Sequence, residues 1–119
     1  MKIAIGGMQK NEMQQVINKV QPNIETIITN DMAAVKMIKN GEVDYYFGAC
    51  ESGGGSAISI LIGLIGYSKC CTVCKNGGKP KKEEIEKFVN EGKICFGMTV
   101  SNIEGTVPVL LEVLLEKNR

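Results

Sequence analysis

The sequence predicts a single doubly wound α/β domain over residues 1–119, with three α/β/α layers around a five-stranded, mainly parallel sheet. Three observations carry this. Short apolar or β-branched runs alternate five times with stretches of helical apolar spacing. Turn residues end most of those runs, and the 14 glycines exceed average usage. Parallel strands need crossovers, which are right-handed, so strict alternation covers both faces of one sheet.

The elements follow in order. Residues 2–5 form an apolar run ended by Gly6 and Gly7, a first strand and its turn. Residues 8–20 place Met13, Val16, Ile17 and Val20 at helical spacing, and Gln21 and Pro22 stop the helix. Residues 24–29 are β-branched except for Glu25 and read as a second strand. Asn30 or Asp31 caps a helix to Lys39 with Met32, Val35 and Ile38 apolar, closed by Asn40 and Gly41. Residues 45–49 are the third strand.

After a glycine-rich turn, AISILIGLI over residues 57–65 is apolar around most of its circumference and is expected to pack on more than one side. Gly63 within it costs about 1 kcal/mol relative to alanine, so a close neighbour, a strand or a second subunit, is expected there. Residues 69–73 are a fourth strand, and residues 76–80 a loop whose Pro80 suits the first turn of a surface helix to Asn90. Residues 94–100 are a fifth strand. The last helix, residues 106–117, has Pro108 near its start and a wide apolar face, expected to pack on a second copy of the chain.

The expected strand order is 2-1-3-4-5, as in flavodoxin-like domains. The first and third strands are then neighbours whose following helices leave to opposite faces, and the crevice between them is the switch point where ligands bind. Its walls are expected to be Gly6, Gly7 and Met8 on one side and Cys50, Glu51, Ser52, Gly53, Gly54, Gly55 and Ser56 on the other. Ser101 and Asn102 share that edge but lie farther out. Consecutive glycines let a ligand approach the main chain, and unpaired amides at a helix start favour a phosphate or carboxylate. Ser52 and Ser56 add hydroxyls, with Ser56 as N-cap. Cys50 is the candidate nucleophile and Glu51 the candidate base.

Composition narrows the chemistry. The chain has no histidine, which excludes Ser-His-Asp and Cys-His arrangements within it and removes the usual metal ligand. A net charge of +1 gives no general pull toward nucleic acid or membrane, and the lysines at 69, 75, 79, 81 and 82 read as a solvated loop and helix start. The longest apolar run, residues 57–66, is about half of what a membrane span needs. MKIAIGG runs straight into a strand-like stretch and the cysteine count is odd, so the expectation is a cytoplasmic protein with free thiols.

Cys71-Thr72-Val73-Cys74 matches C-x-x-C, but at a strand end its two cysteines should point to opposite faces, and no second pair completes a zinc site. Strand packing is the expected role, with no metal and no cofactor. Neither glycine turn matches a nucleotide signature. Phosphorylated sugar-transport domains carry cysteine where Gly6-Gly7-Met8 stands, and receiver domains need acidic residues there and an aspartate where Cys50 stands.

With Asn30-Asp31-Met32, Asp44-Tyr45-Tyr46, Gly48-Ala49-Cys50, Gly53, Gly55, Ile65-Gly66-Tyr67, Gly92-Lys93 and Phe96-Gly97, the chain resembles a family of small bacterial proteins known as a domain of unknown function. The resemblance covers nearly the whole chain and brings no activity, cofactor or catalytic residue. It implies small-molecule metabolism, since some members are encoded near metabolic enzymes and a transporter. The leading expectation is binding of a small anionic metabolite at the switch-point crevice. The alternatives are an enzyme or enzyme subunit using Cys50 or Glu51, and a homo-oligomeric partner module without chemistry.

Overall fold

Among the described residues, five strands and five α-helices alternate: β1 Lys2–Gly7, α1 Lys10–Val20, β2 Glu25–Ile28, α2 Asp31–Lys39, β3 Tyr45–Cys50, α3 Ser59–Leu64, β4 Cys70–Cys74, α4 Lys82–Asn90, β5 Cys95–Thr99 and α5 Ile103–Lys117. The computed structural model describes residues 1–53 and 55–119. All strand pairs are parallel, and the α/β class is the one expected.

The strand order is β2-β1-β3-β5-β4, which corrects the expected 2-1-3-4-5. The chain steps outward from β3 past one position to β4, and α4 then brings it back so that β5 fills the slot beside β3. A slot with neighbours on both sides is covered on both faces and needs apolar side chains throughout. β5 meets this with every residue buried, while β4 leaves Thr72 half-buried. Phe47 and Phe96 meet edge-on across the β3–β5 pair, with ring centroids 5.9 Å apart.

The two faces of the sheet differ in character. Helices α1, α4 and α5 cover one, where Ile3, Ile5, Phe47, Phe96 and Met98 meet Met13, Ile17, Ile85 and Leu110. Helices α2 and α3 cover the other, whose core is made of smaller groups: Ala4, Ala34, Val35, Ala57, Ile58 and Leu61, with Tyr46 and the cysteines Cys50, Cys70 and Cys95. Here Gly6, Gly48 and Gly97 stand in register across β1, β3 and β5. A Cβ on Gly48 would lie 2.9 Å from both Ala57 O and Tyr46 Oη, and one on Gly97 3.3 Å from Ile58 Cγ2. The bare strip therefore lets the Tyr46 ring and the segment entering α3 lie against the sheet. Gly6 and Gly7 are the last residues of β1, paired with Gly48 and Ala49, where a turn was expected.

Several ends differ from expectation. The stretch after β3 starts as a 3-10 turn, Gly55–Ala57, and α3 proper has only six residues. Leu61 is its one buried residue, Leu64 is 46% exposed, and a Cβ on Gly63 would meet no described atom within 4 Å, so in this chain α3 packs on one side only. The N-cap of α3 is Ile58, without a side-chain bond, so Ser56 does not cap it. At α2 the sequence rule holds: Asn30 Oδ1 accepts from the Ala33 amide at 2.8 Å. Helix α5 begins three residues earlier than expected and carries Pro108 inside it. Its apolar face is used within this chain, with Val107, Leu110, Leu111 and Leu114 buried among residues of α1 and α4. A register shift between Thr72 and Cys74 turns Cys74 onto the same side as Cys71, against the expectation of opposite faces.

Among the described residues, no helix is long and apolar enough to cross a membrane. No group of three or more His, Cys, Asp or Glu side chains gathers there as a metal site.

Candidate functional site

Cys50 ends β3, the central strand, and its side chain turns toward the α2/α3 face. The helix after β1 covers one face and the helix after β3 the other, so β1 and β3 flank a switch point, as the sequence implies. The turn after β3 leans the other way, over β5 and β4. Thr99 Oγ1 donates to Glu51 O at 3.1 Å, and the Asn76 amide donates to Ser52 O at 2.7 Å. Gly53 is buried between them with φ +74; a Cβ there would be 2.7 Å from the Thr99 amide nitrogen and would press on Cys74 O. Glycine fits this position because it needs both a left-handed backbone and an absent side chain.

Folding the turn inward aims its donors at one sulfur. The Ser52 hydroxyl lies 3.5 Å from Cys50 Sγ. The Ser56 hydroxyl and the amides of Gly53 and Ala57 act on that sulfur as well, favouring its charged form. Burial acts to raise the Cys50 pKa, but the hydrogen bonds from Ser56, Ser52, Gly53 and Ala57 outweigh it and bring the thiol below its ordinary value. Cys50 remains 7% exposed at the sheet edge.

Of the residues expected to line the crevice, Cys50, Ser52, Gly53 and Ser56 converge on this one point. The Glu51 side chain is exposed, while its carbonyl is held by Thr99. Gly6 and Gly7 stand on the neighbouring strand, and the Met8 amide donates to Ala49 O at 2.8 Å. Gly55 opens the 3-10 turn, and Gly54 lies outside the described residues.

Three contributors are not singled out by sequence reasoning. Thr99 and Asn76 reach the turn because β5 is next to β3 and the β4–α4 loop is close behind; Ser101 joins them, its Oγ 2.9 Å from Thr99 Oγ1 and 3.5 Å from Asn76 Oδ1. The correct strand order would have found them. Tyr46 is the third. It is fully buried, its hydroxyl has no hydrogen-bond partner among the described residues, and its ring lies over Gly6 and Gly48. Burial, with the charge of Asp31 adding to it, pushes the Tyr46 hydroxyl well above the ordinary phenol value, so it stays protonated and available as a donor.

Comparison with known proteins gives one consistent result. The chain is 43% identical over 114 residues to "Uncharacterized protein YhfU" of Escherichia coli K12, covering 95% of this chain and 97% of that protein, and equally similar to the protein of the same name in Shigella flexneri. No solved structure matches it. The family model described as "Protein of unknown function DUF2620" matches residues 1–114, and the chain belongs to that family.

Proposed function

We propose that this protein acts on a small anionic metabolite at the C-terminal edge of its central strands, with the Cys50 thiolate as the nucleophile. The observation that carries the reading is the placement of Cys50 at the end of the central strand, with the Ser52 hydroxyl 3.5 Å from its sulfur in a turn folded back by Thr99 and Asn76. With no histidine in the chain, no imidazole base can take the thiol proton. Stabilising the anion directly is the other way to make sulfur reactive. The turn assigned by sequence to an external phosphate or carboxylate is turned first on the protein's own sulfur, whose charged form it favours. The same donors would share the charge of a carboxylated or phosphorylated substrate brought up to the sulfur. The reaction class is addition of the sulfur to an electrophilic carbonyl carbon: the C–S bond forms as the C=O π bond opens, and its electron pair goes to the oxygen, which takes up a proton. Five free cysteines suit the reducing cytoplasm in which this would operate.

Residue-resolved alkylation tests it. At neutral pH Cys50 should react with iodoacetamide ahead of Cys70, Cys71, Cys74 and Cys95, and an anionic metabolite from a phosphate and carboxylate panel should protect it. Equal sluggishness at all five thiols removes the nucleophile. Protection without any adduct reduces the site to binding.

A second reading, self-association through α3, is favoured by the exposure of Leu64 (46%) and Tyr67 (76%) and by the open space at Gly63. Sedimentation that finds only monomer over a wide concentration range removes it.

A further inference from the structure

A second sulfur arrangement lies away from Cys50. Cys70 opens β4 and Cys95 opens β5, the two are register partners, and both belong to the α2/α3 core. Register partners on neighbouring strands have Cα atoms about 4.8 Å apart, inside the window of about 4.4–6.8 Å that a disulfide spans. Each thiol also acts on the titration of the other. Cys71 and Cys74 belong to the opposite core, and Cys74 Sγ points at Gly78 O, 3.5 Å away.

The pair has an approach from outside. A groove of about 570 Å³ runs along the open edge of β4, and Ile58, Ile62, Tyr67, Cys70, Phe88 and Lys93 are among its lining residues. Cys70 borders it, while Cys95 is fully buried behind. Lys93, whose ammonium sits 5.5 Å over the Tyr67 ring, supplies positive charge on that wall. Cys70 and its neighbour Cys71 both border a space large enough for a small molecule, and Cys95, the register partner of Cys70, lies behind; burial pushes the Cys71 thiol up to about 12, which leaves Cys70 as the attacking sulfur.

We propose that Cys70 and Cys95 form a redox-active dithiol that exchanges with a low-molecular-weight anionic disulfide of the glutathione type entering the groove along β4. The Cys70 thiolate attacks one sulfur of the incoming disulfide, the S–S bond of that molecule breaks, and its other half leaves and takes up a proton as a thiol. Cys95 then attacks Cys70 Sγ in the mixed disulfide, forming the Cys70–Cys95 bond while its proton passes to the departing sulfur, so that the second half leaves as a thiol. One small disulfide is reduced to two thiols and two protein thiols are oxidised to one disulfide. The titration of the pair supports this order. The hydrogen bond from Cys95 lowers the Cys70 pKa, with burial opposing and Lys93 assisting; that bond together with burial raises the Cys95 pKa, keeping it the protonated donor. The product disulfide would tie edge strand β4 to β5 beside the groove.

The experiment uses the full chain carrying Cys50→Ser, so that Cys50 takes no part. Folded protein is equilibrated in glutathione buffers of increasing oxidation, trapped with an alkylating agent, digested and mapped by mass spectrometry. Expected are a dominant Cys70–Cys95 linkage, arrest of Cys95→Ala at a Cys70–glutathione adduct, and neither species in Cys70→Ala. In the chain that keeps both thiols, the Cys70 adduct should appear before the internal linkage, a time course that stands even if Cys95→Ala does not fold. Folded protein that stays reduced where urea-unfolded protein oxidises, or that links other cysteines preferentially, overturns the proposal. So does first modification at a cysteine other than Cys70.

Discussion

The two faces of the sheet do different work with different residues. The α1/α4/α5 face is a thick layer of large apolar side chains in which Phe47, Phe96, Met98, Leu110 and Leu114 are fully buried. The α2/α3 face is thin: α3 has six residues, a glycine strip brings the covering segment down onto the strands, and the core includes Tyr46, Cys50, Cys70 and Cys95. Burial of large apolar groups stabilises by about 1.5–3 kcal/mol each, so the first face can hold the fold while the second places polar and sulfur groups in partial shelter. Groups that react need shelter to shift their pKa and an opening to meet a partner; a thin layer provides both.

The contrast can be broken or sharpened by four variants. Phe96→Ala removes the ring that packs on Phe47 and Tyr45 in the thick layer, and should cost about 3–5 kcal/mol in denaturant unfolding. A loss comparable to that of a surface change would contradict the division of labour. Gly53→Ala forces a side chain into a left-handed backbone against β4 and β5, at an expected cost of about 1–3 kcal/mol. It should also slow Cys50 alkylation, because the turn can no longer aim its amide at the sulfur.

Ser52→Ala with Ser56→Ala leaves the fold intact and removes two donors to Cys50. The pH midpoint of alkylation should rise toward the ordinary thiol value. The sign for stability is fixed: a thiol with a lowered folded pKa contributes stability that is present above the unfolded pKa and lost as pH falls through the folded one. The double variant should therefore gain less stability than wild type as pH rises through the window just below the ordinary thiol value. Tyr46→Phe has the smallest effect. Deleting a buried hydroxyl without a partner should stabilise by about 1 kcal/mol. It should also remove a loss of stability above pH 10.0, where the unfolded tyrosine ionises and the folded one does not. Destabilisation instead would show that the hydroxyl is paired.

The fold class was legible because local signals agreed with tertiary placement. Asn30 caps α2, and Ile85 and Val89 of α4 are buried as their spacing requires. Strand order was not legible between the fourth and fifth strands, since CCTVC and CFGMT read alike as short buried runs and both connections satisfy the right-handed rule. Residues 57–65 misled because continuous apolarity can mark a helix buried all round or one that leaves Leu64 exposed. Sequence located the turn at Cys50 from its glycines and serines. It did not show that Thr99 and Asn76 would fold that turn inward onto its own cysteine, because those residues lie far along the chain.

The sequence by itself determined where strands and helices lie, that the sheet is parallel with helices on both faces, and that a glycine-rich turn follows the central strand. These depend on the period of apolar residues and on backbone freedom, which are local. Tertiary structure alone decided which strand stands beside β3, which group receives the donors of the turn, and that Cys70 and Cys95 meet across a register. Those are contacts between segments distant in sequence, set by the packing of whole layers, and no local pattern encodes them.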